Sequence, residues 1–183
     1  MNEFLIDLEI AYQSIPLVYF NQNVIHSLDG NTPTTQDIER VVLAELYHQW
    51  RFIMAANKNR YQDLILHSEI GKRLENNEGV KHPDLVLHGG QDGPNRLTHN
   101  KVFAELKMNA FDETDIYKCF RALQMLDYQF SVCIIHEITL DEIRNSIRVN
   151  PGLFEGNEDY FDQLYFLSSN FKIKTLNNIL KEV

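Results

Sequence analysis

Cysteine is scarce in this sequence, basic residues are outnumbered, and long apolar runs do not occur. The 183 residues include two cysteines, Cys119 and Cys133. Neither belongs to a C-x-x-C pair, so zinc and dithiol motifs built on that spacing are excluded. Outside a disulfide framework, two such thiols read as small buried apolar groups in a reducing compartment. No stretch approaches about 18 consecutive apolar residues, so no membrane span and no membrane partner are expected. The opening MNEFLIDLEIAY carries Glu3, Asp7 and Glu9 where a secretory signal needs positive charge and an apolar run. The expectation is therefore a cytoplasmic protein. Positive charge is also short: 17 Lys+Arg against 26 Asp+Glu gives a net charge of −9. That excludes coating nucleic acid by bulk charge, but not binding through a local patch.

What is present is ordinary for a globular chain. Apolar residues make up 44% and charged residues 23%, which excludes disorder, collagen and coiled coil as whole-chain readings. The length suits a single domain over 1–183. Within it we read a core at 35–138, a helical N-terminal extension at 1–34 and a C-terminal extension at 139–183. The charge is uneven: Arg51 to Arg121 holds 11 basic and 10 acidic residues, and the remainder 6 and 16. A polyanion should therefore meet the middle of the chain.

Residues 2–28 read as helical, interrupted near Pro16 and closed by Asp29-Gly30-Asn31-Thr32-Pro33. Thr34 with Asp37 three residues on is a capping signature. The helix it opens runs through Ile38, Val41, Val42, Leu46, Trp50, Ile53 and Met54 on one apolar face, and ends at Asn57-Lys58-Asn59. The period then changes to two. Leu64–Ile70, Asp84–His88 and Val102–Met108 read as strands, the last two separated by a Gly-rich loop at 89–95. A helix is expected from about Asp112 to Leu126, its early acids complementing the helix dipole. Phe130–His136 reads as a strand buried on both faces. A short helix follows at 139–148, a break at Pro151-Gly152, and a mixed tail whose last part, Thr175–Val183, looks helical. The order helix, three strands, helix, strand belongs to an α/β or α+β fold.

Alternation puts Phe103, Glu105 and Lys107 on one face of the third strand, and Ala104, Leu106 and Met108 on the other. A carboxylate and an ammonium thus project together from a rigid element. Asp84 leads the second strand, held in direction by Pro83. If the two strands form a hairpin, Asp84 and Glu105 converge. Two carboxylates about 4 Å apart repel by about 4 kcal/mol at an effective dielectric of 20. They need a proton, a lysine or a metal ion between them. Carboxylates that hold Mg²⁺ suit hydrolysis of an anionic phosphodiester, where carboxylates alone would repel the substrate.

His82-Pro83-Asp84-Leu85-Val86-Leu87-His88, followed by Val102-Phe103-Ala104-Glu105-Leu106-Lys107, resembles the PD-(D/E)XK signature of the restriction-endonuclease-like nucleases, small bacterial members included. The resemblance spans roughly 35–138 and implies an αβββαβ core with a mixed sheet flanked by helices. It implies that Asp84 and Glu105 bind Mg²⁺ (with Mn²⁺ as a substitute), that the backbone carbonyl of Leu106 adds a ligand, and that Lys107 is catalytic. It also implies a glutamate from the helix before the first strand. Glu39 and Glu45 both flank that helix's apolar face, and Glu39 is preferred because Ile38-Glu39-Arg40 is similar to the helix start of small members. Residues 65–74 are similar to the first strand of those members, with Glu69 as its acid. Gln124-x-x-x-Tyr128 is similar to a helical motif of the RecB-like branch. The expected partner is nucleic acid, DNA foremost. A homodimer would suit double-strand cutting, and a larger complex would suit the acidic ends. The alternative is a non-catalytic interaction or assembly subunit on the same fold.

The remaining features have plainer readings. His67, His82, His88 and His99 lack the helical spacing of a zinc pair and read as solvated strand-end histidines. Lys72, Arg73, Lys81, Arg96 and Lys101 would rim a phosphate-binding cleft or form a solvated face. Tyr117 and Phe120 read as core.

Overall fold

A computed structural model of the chain describes residues 2–21, 34–68, 83–89, 99–108 and 112–182. The expected turn at 29–33, the Gly-rich loop at 90–95, Glu69, Lys72, Arg73, Lys81, His82 and Arg96 lie outside these residues. The chain divides into two compact units, residues 1–62 and 63–183.

The first unit is helical. Helix α1 spans Glu3–Gln13, and Asn2 caps it by accepting a hydrogen bond from the Phe4 amide at 2.9 Å. A 3-10 turn follows at Leu17–Phe20, just after Pro16, whose ring cannot donate to a continuing helix. Helix α2 spans Thr35–Ala56. Thr34 and Asp37 form the expected reciprocal cap, the Thr34 amide donating to Asp37 at 2.9 Å and the Asp37 amide to Thr34 Oγ1 at 3.2 Å. The apolar stripe of α2 is buried at Ile38, Val42, Leu46, Trp50 and Met54.

Beneath that packing lies a polar network. The Trp50 indole donates to Tyr61 Oη at 3.0 Å, and Tyr61 donates to Asp7 Oδ2 at 2.8 Å. Arg60 binds the same carboxylate oxygen and reaches Glu3 at 3.1 Å. Asp7 is thus 5% exposed and satisfied, as a buried charge must be.

The second unit is a six-stranded mixed sheet in the order β1-β2-β3-β4-β5-β6. Strands β1 (Leu64–Ser68), β2 (Leu85–Gly89) and β3 (Val102–Lys107) form an antiparallel meander, each antiparallel to its neighbour. Strand β4 (Phe130–Ile135) pairs parallel with β3, and β5 (Leu164–Ser168) parallel with β4. Strand β6 (Phe171–Thr175) returns antiparallel. Parallel neighbours need crossovers. These contain helix α3 (Glu113–Met125) and helix α4 (Leu140–Val149), while the short helix α5 (Leu176–Lys181) ends the unit. Both crossover helices pack into one core with the sheet, as right-handed crossovers along a strand order that advances in one direction would have it. The core joins Val86, Phe103, Cys133, Ile135, Leu164 and Phe166 to Ile116, Cys119, Phe120 and Leu123 of α3, Ile143 of α4 and Ile179 of α5.

The expected strands and helices from 64 to 149 are present, with ends shifted by a residue or two. The tail differs more: β5 and β6 occupy part of the segment read as mixed, and they extend the sheet. Cys119 and Cys133 are free, buried thiols 3.4 Å apart. Tyr117 corrects a core reading. It is 50% exposed, under the Arg121 guanidinium, whereas Phe120 is buried. Among the described residues, no helix is long and apolar enough to cross a membrane.

Candidate functional site

The β2–β3 register pairs Leu85 with Ala104 and Val86 with Phe103. One step further puts Asp84 opposite Glu105, where facing Cβ atoms are about 5 Å apart. Strand alternation turns Glu105, like Phe103, to the α3 face, and the charge of Asp84, in the bend just before β2, acts on it. The hairpin thus brings the two acids together as the sequence predicts. Asp84 Oδ2 also accepts a hydrogen bond from the Leu106 amide at 2.8 Å, which fixes the carboxylate past the end of β2. In an extended strand a residue's N–H and C=O leave on the same side. The Lys107 carbonyl accepts from His136 on the β4 side, so the Leu106 carbonyl leaves toward Asp84.

Glu105 is 2% exposed. Its Oε2 accepts from the Lys118 ammonium at 2.8 Å. That ammonium also binds Asp115 Oδ1 at 2.5 Å. Lys107 lies 3.4 Å from Asp115 Oδ2. Three carboxylates and two ammoniums thus share one sheet–helix interface. Asp115 and Lys118 are i,i+3 neighbours on α3 and complete the cluster from the helix side. The sequence reading missed Lys118 and took Asp115 only as a complement to the helix dipole. A signal existed: both flank the buried positions Ile116 and Cys119, in the half of a crossover helix that starts just beyond β3.

Burial raises the Glu105 carboxyl from its ordinary 4.5 to about 9, and the nearby Asp84 charge adds to it. Burial raises Asp84 as well, against the Leu106 hydrogen bond and the charges of Lys118 and Lys107. Desolvation alone would lower Lys118, but Glu105 and Asp115 reverse it and hold the ammonium protonated. An upward shift of Lys118 through Glu105 needs an ionised Glu105, which an upward shift of Glu105 opposes. Asp115 resolves the conflict, because it is the second carboxylate on Lys118 and keeps the amine charged either way. The cluster with all groups ionised is one cation short. A proton on Glu105 balances it.

The same deficit decides whether the residues suit a metal ion. Glu105 Oε1 is buried and makes no hydrogen bond. One carboxyl oxygen of the cluster is therefore left without a hydrogen-bond partner. Asp84, Glu105 and the Leu106 carbonyl are hard oxygen donors of the kind magnesium takes while keeping several waters. These residues fit the ion. Two facts limit the fit: Lys118 already holds one oxygen of Glu105, and among the described residues no three His, Cys, Asp or Glu side chains gather to hold a metal by themselves.

Other expected residues lie elsewhere. Glu39 and Glu45 sit partly buried on α2, in the first unit, and Glu45 accepts from Gln49 at 2.7 Å. Gln124 donates to Asn157, and Tyr128 is buried edge-on to Phe103 at 5.6 Å. Tyr128 therefore packs the second unit, whereas Gln124 makes an exposed surface contact. The reading of solvated histidines is corrected at His88, which is 6% exposed and hydrogen-bonded to His67, while His99 is exposed as expected. Compared with models of protein families, with curated proteins and with solved structures, the chain matches none.

Proposed function

We propose that the chain is a magnesium-dependent phosphodiester hydrolase of the PD-(D/E)XK type, acting on DNA. The observation that carries this reading is that Asp84 lies near enough for its charge to act on Glu105, in a cluster with Lys107 and Lys118, with the buried Glu105 Oε1 left without a hydrogen bond. The chain order α2-β1-β2-β3-α3-β4 supports the αβββαβ core that the motif implies.

Magnesium held by Asp84, Glu105 and the Leu106 carbonyl supplies, when bound, positive charge for the anionic diester and acidity for a water. The chain's own residues do the rest. Asp84 is aimed by the Leu106 amide. Glu105, raised by burial, would ligate as the carboxylate, since a bound cation would fill the charge deficit that a proton otherwise fills. Lys118 and Asp115 keep the Glu105 carboxyl in place from the helix side. Lys107 lies on the same face, partly exposed. It would hold the attacking water by hydrogen bond and offset the negative charge that builds at phosphorus. In the net reaction the water oxygen joins phosphorus, the bond to the leaving oxygen breaks, and the proton lost by the water is returned to the leaving oxygen.

The test is cleavage of plasmid DNA and of RNA by the full chain with Mg²⁺ or Mn²⁺, beside Asp84→Ala and Lys107→Ala. Cleavage by the wild type, lost in both variants, is the expected result. Equal activity in all three under every metal overturns the proposal.

One observation favours a second reading. Lys118 already neutralises Glu105 and Asp115. On that reading the cluster is a buried ion network that fastens α3 to β3 in a non-catalytic assembly subunit. Calorimetric titration with Mg²⁺ separates the two, since only the hydrolase binds the ion through Asp84.

A further inference from the structure

Two histidines outside the carboxylate cluster stand together on the β1–β2 hairpin. The register sets His67 opposite Val86 and His88 opposite Ile65. The two imidazoles are therefore diagonal neighbours on one face of the sheet. His88 Nδ1 lies 2.7 Å from the Gly89 carbonyl oxygen. A carbonyl only accepts, so Nδ1 carries the proton and a neutral His88 keeps a lone pair on Nε2. That Nε2 lies 3.1 Å from His67 Nδ1, with the rings 4.9 Å apart at 66°.

The two nitrogens can converge on one cation, a proton on the line between them or a metal ion beside it. A proton gives the hydrogen bond between the rings. A metal ion is the other occupant. Two nitrogens on one tetrahedral ion at about 2.05 Å are about 3.3 Å apart. The observed separation needs only a few tenths of an ångström to reach that. The contact from His88 Nδ1 to a backbone carbonyl is the kind of support that fixes the tautomer and ring orientation of a ligating imidazole. Access exists too: β1 lies at the end of the sheet's strand order, His67 is partly exposed, and Ile65 beside it on the same face is 39% exposed.

We propose that His67 and His88 form a two-imidazole site for a late first-row divalent ion such as copper, nickel or zinc. Imidazole nitrogen selects these ions, whereas the carboxylates of the Asp84 cluster select magnesium. The two sites are separate by ligand chemistry. Among the described residues no third His, Cys, Asp or Glu joins the pair.

The experiment uses the full chain stripped with chelator and titrated with Cu²⁺, read by calorimetry and by electron paramagnetic resonance. The wild type should bind one equivalent with hyperfine coupling to two imidazole nitrogens. His67→Ala, at the sheet margin, should lose at least tenfold in affinity and the two-nitrogen signature. His88→Gln should do the same, with far-UV circular dichroism as the check on folding. Asp84→Ala should bind Cu²⁺ as the wild type does, whatever it does with Mg²⁺. Absence of stoichiometric binding, or unchanged affinity and spectrum in His67→Ala, overturns the proposal. If Asp84→Ala alone abolishes Cu²⁺ binding, the ion sits at the carboxylates and the histidine site is likewise overturned.

Discussion

Replacing Glu105 with glutamine removes a titrating group while keeping its shape and its acceptor for Lys118. The carboxyl is raised by burial from 4.5 to about 9 in the folded chain. Below its unfolded value, folded and unfolded chains both hold the proton and no stability is at stake. Between the two values the folded chain keeps a proton that the unfolded chain releases, so stability falls as pH rises. Each pH unit in that window is worth about 1.4 kcal/mol. Over the three units from pH 5 to pH 8 the metal-free wild type should therefore lose about 4 kcal/mol relative to Glu105→Gln. Asp84 is raised as well and remains in both proteins, so it cancels in the comparison. The assay is urea denaturation in chelator at pH 5, 6, 7 and 8, followed by far-UV circular dichroism. Parallel pH profiles for the two proteins would refute the reasoning. So would a wild type that gains on the variant as pH rises, because Glu105 would then be a stabilised carboxylate.

Other outcomes follow from named contacts. Lys118→Met strips the ammonium from Glu105 and Asp115 and should cost about 3 kcal/mol without metal; saturating Mg²⁺ should restore more stability to this variant than to the wild type in thermal melts. Asp7→Asn removes the charge that Arg60 and Tyr61 share in the first unit and should cost about 2 kcal/mol, read by the fluorescence of Trp50, the single tryptophan. Thr139→Ala deletes the cap that accepts from the Glu142 amide at 3.3 Å and should cost about 1 kcal/mol in urea denaturation. Gly89→Ala would set a Cβ 2.3 Å from that of His99, so thermal melts should show a loss of about 1–3 kcal/mol.

Much of each unit was legible in the chain because its signals are local. The Thr34–Asp37 cap, the two-residue period of β3 and the apolar run of β4 each state their element. Asp84 and Glu105 could be paired in advance because strand alternation and a hairpin suffice to bring them together. Lys118 could not be placed that way, since its partner lies on another element, reached only after the crossover sets α3 on the sheet. Strands β5 and β6 were obscured for a different reason. Leu164-Tyr165-Phe166-Leu167 is an apolar run too short to tell strand from buried helix, and the connection Ser169-Asn170 lacks a glycine. The alternation of Lys172, Ile173 and Lys174 was present, but without the preceding strand it had nothing to pair with. The pairing of His67 with His88 also depends on register, because strands 21 residues apart in number carry no spacing rule like that of a helix.

The central claim is that Asp84 and Glu105 share a divalent cation. The most direct measurement is anomalous X-ray scattering from crystals of the full chain soaked in Mn²⁺. The account predicts a manganese peak between the two carboxylates and the Leu106 carbonyl, absent in Asp84→Ala. Occupied soaks that leave this position empty, with Glu105 still bound to Lys118 and Asp84 to the Leu106 amide, would contradict it.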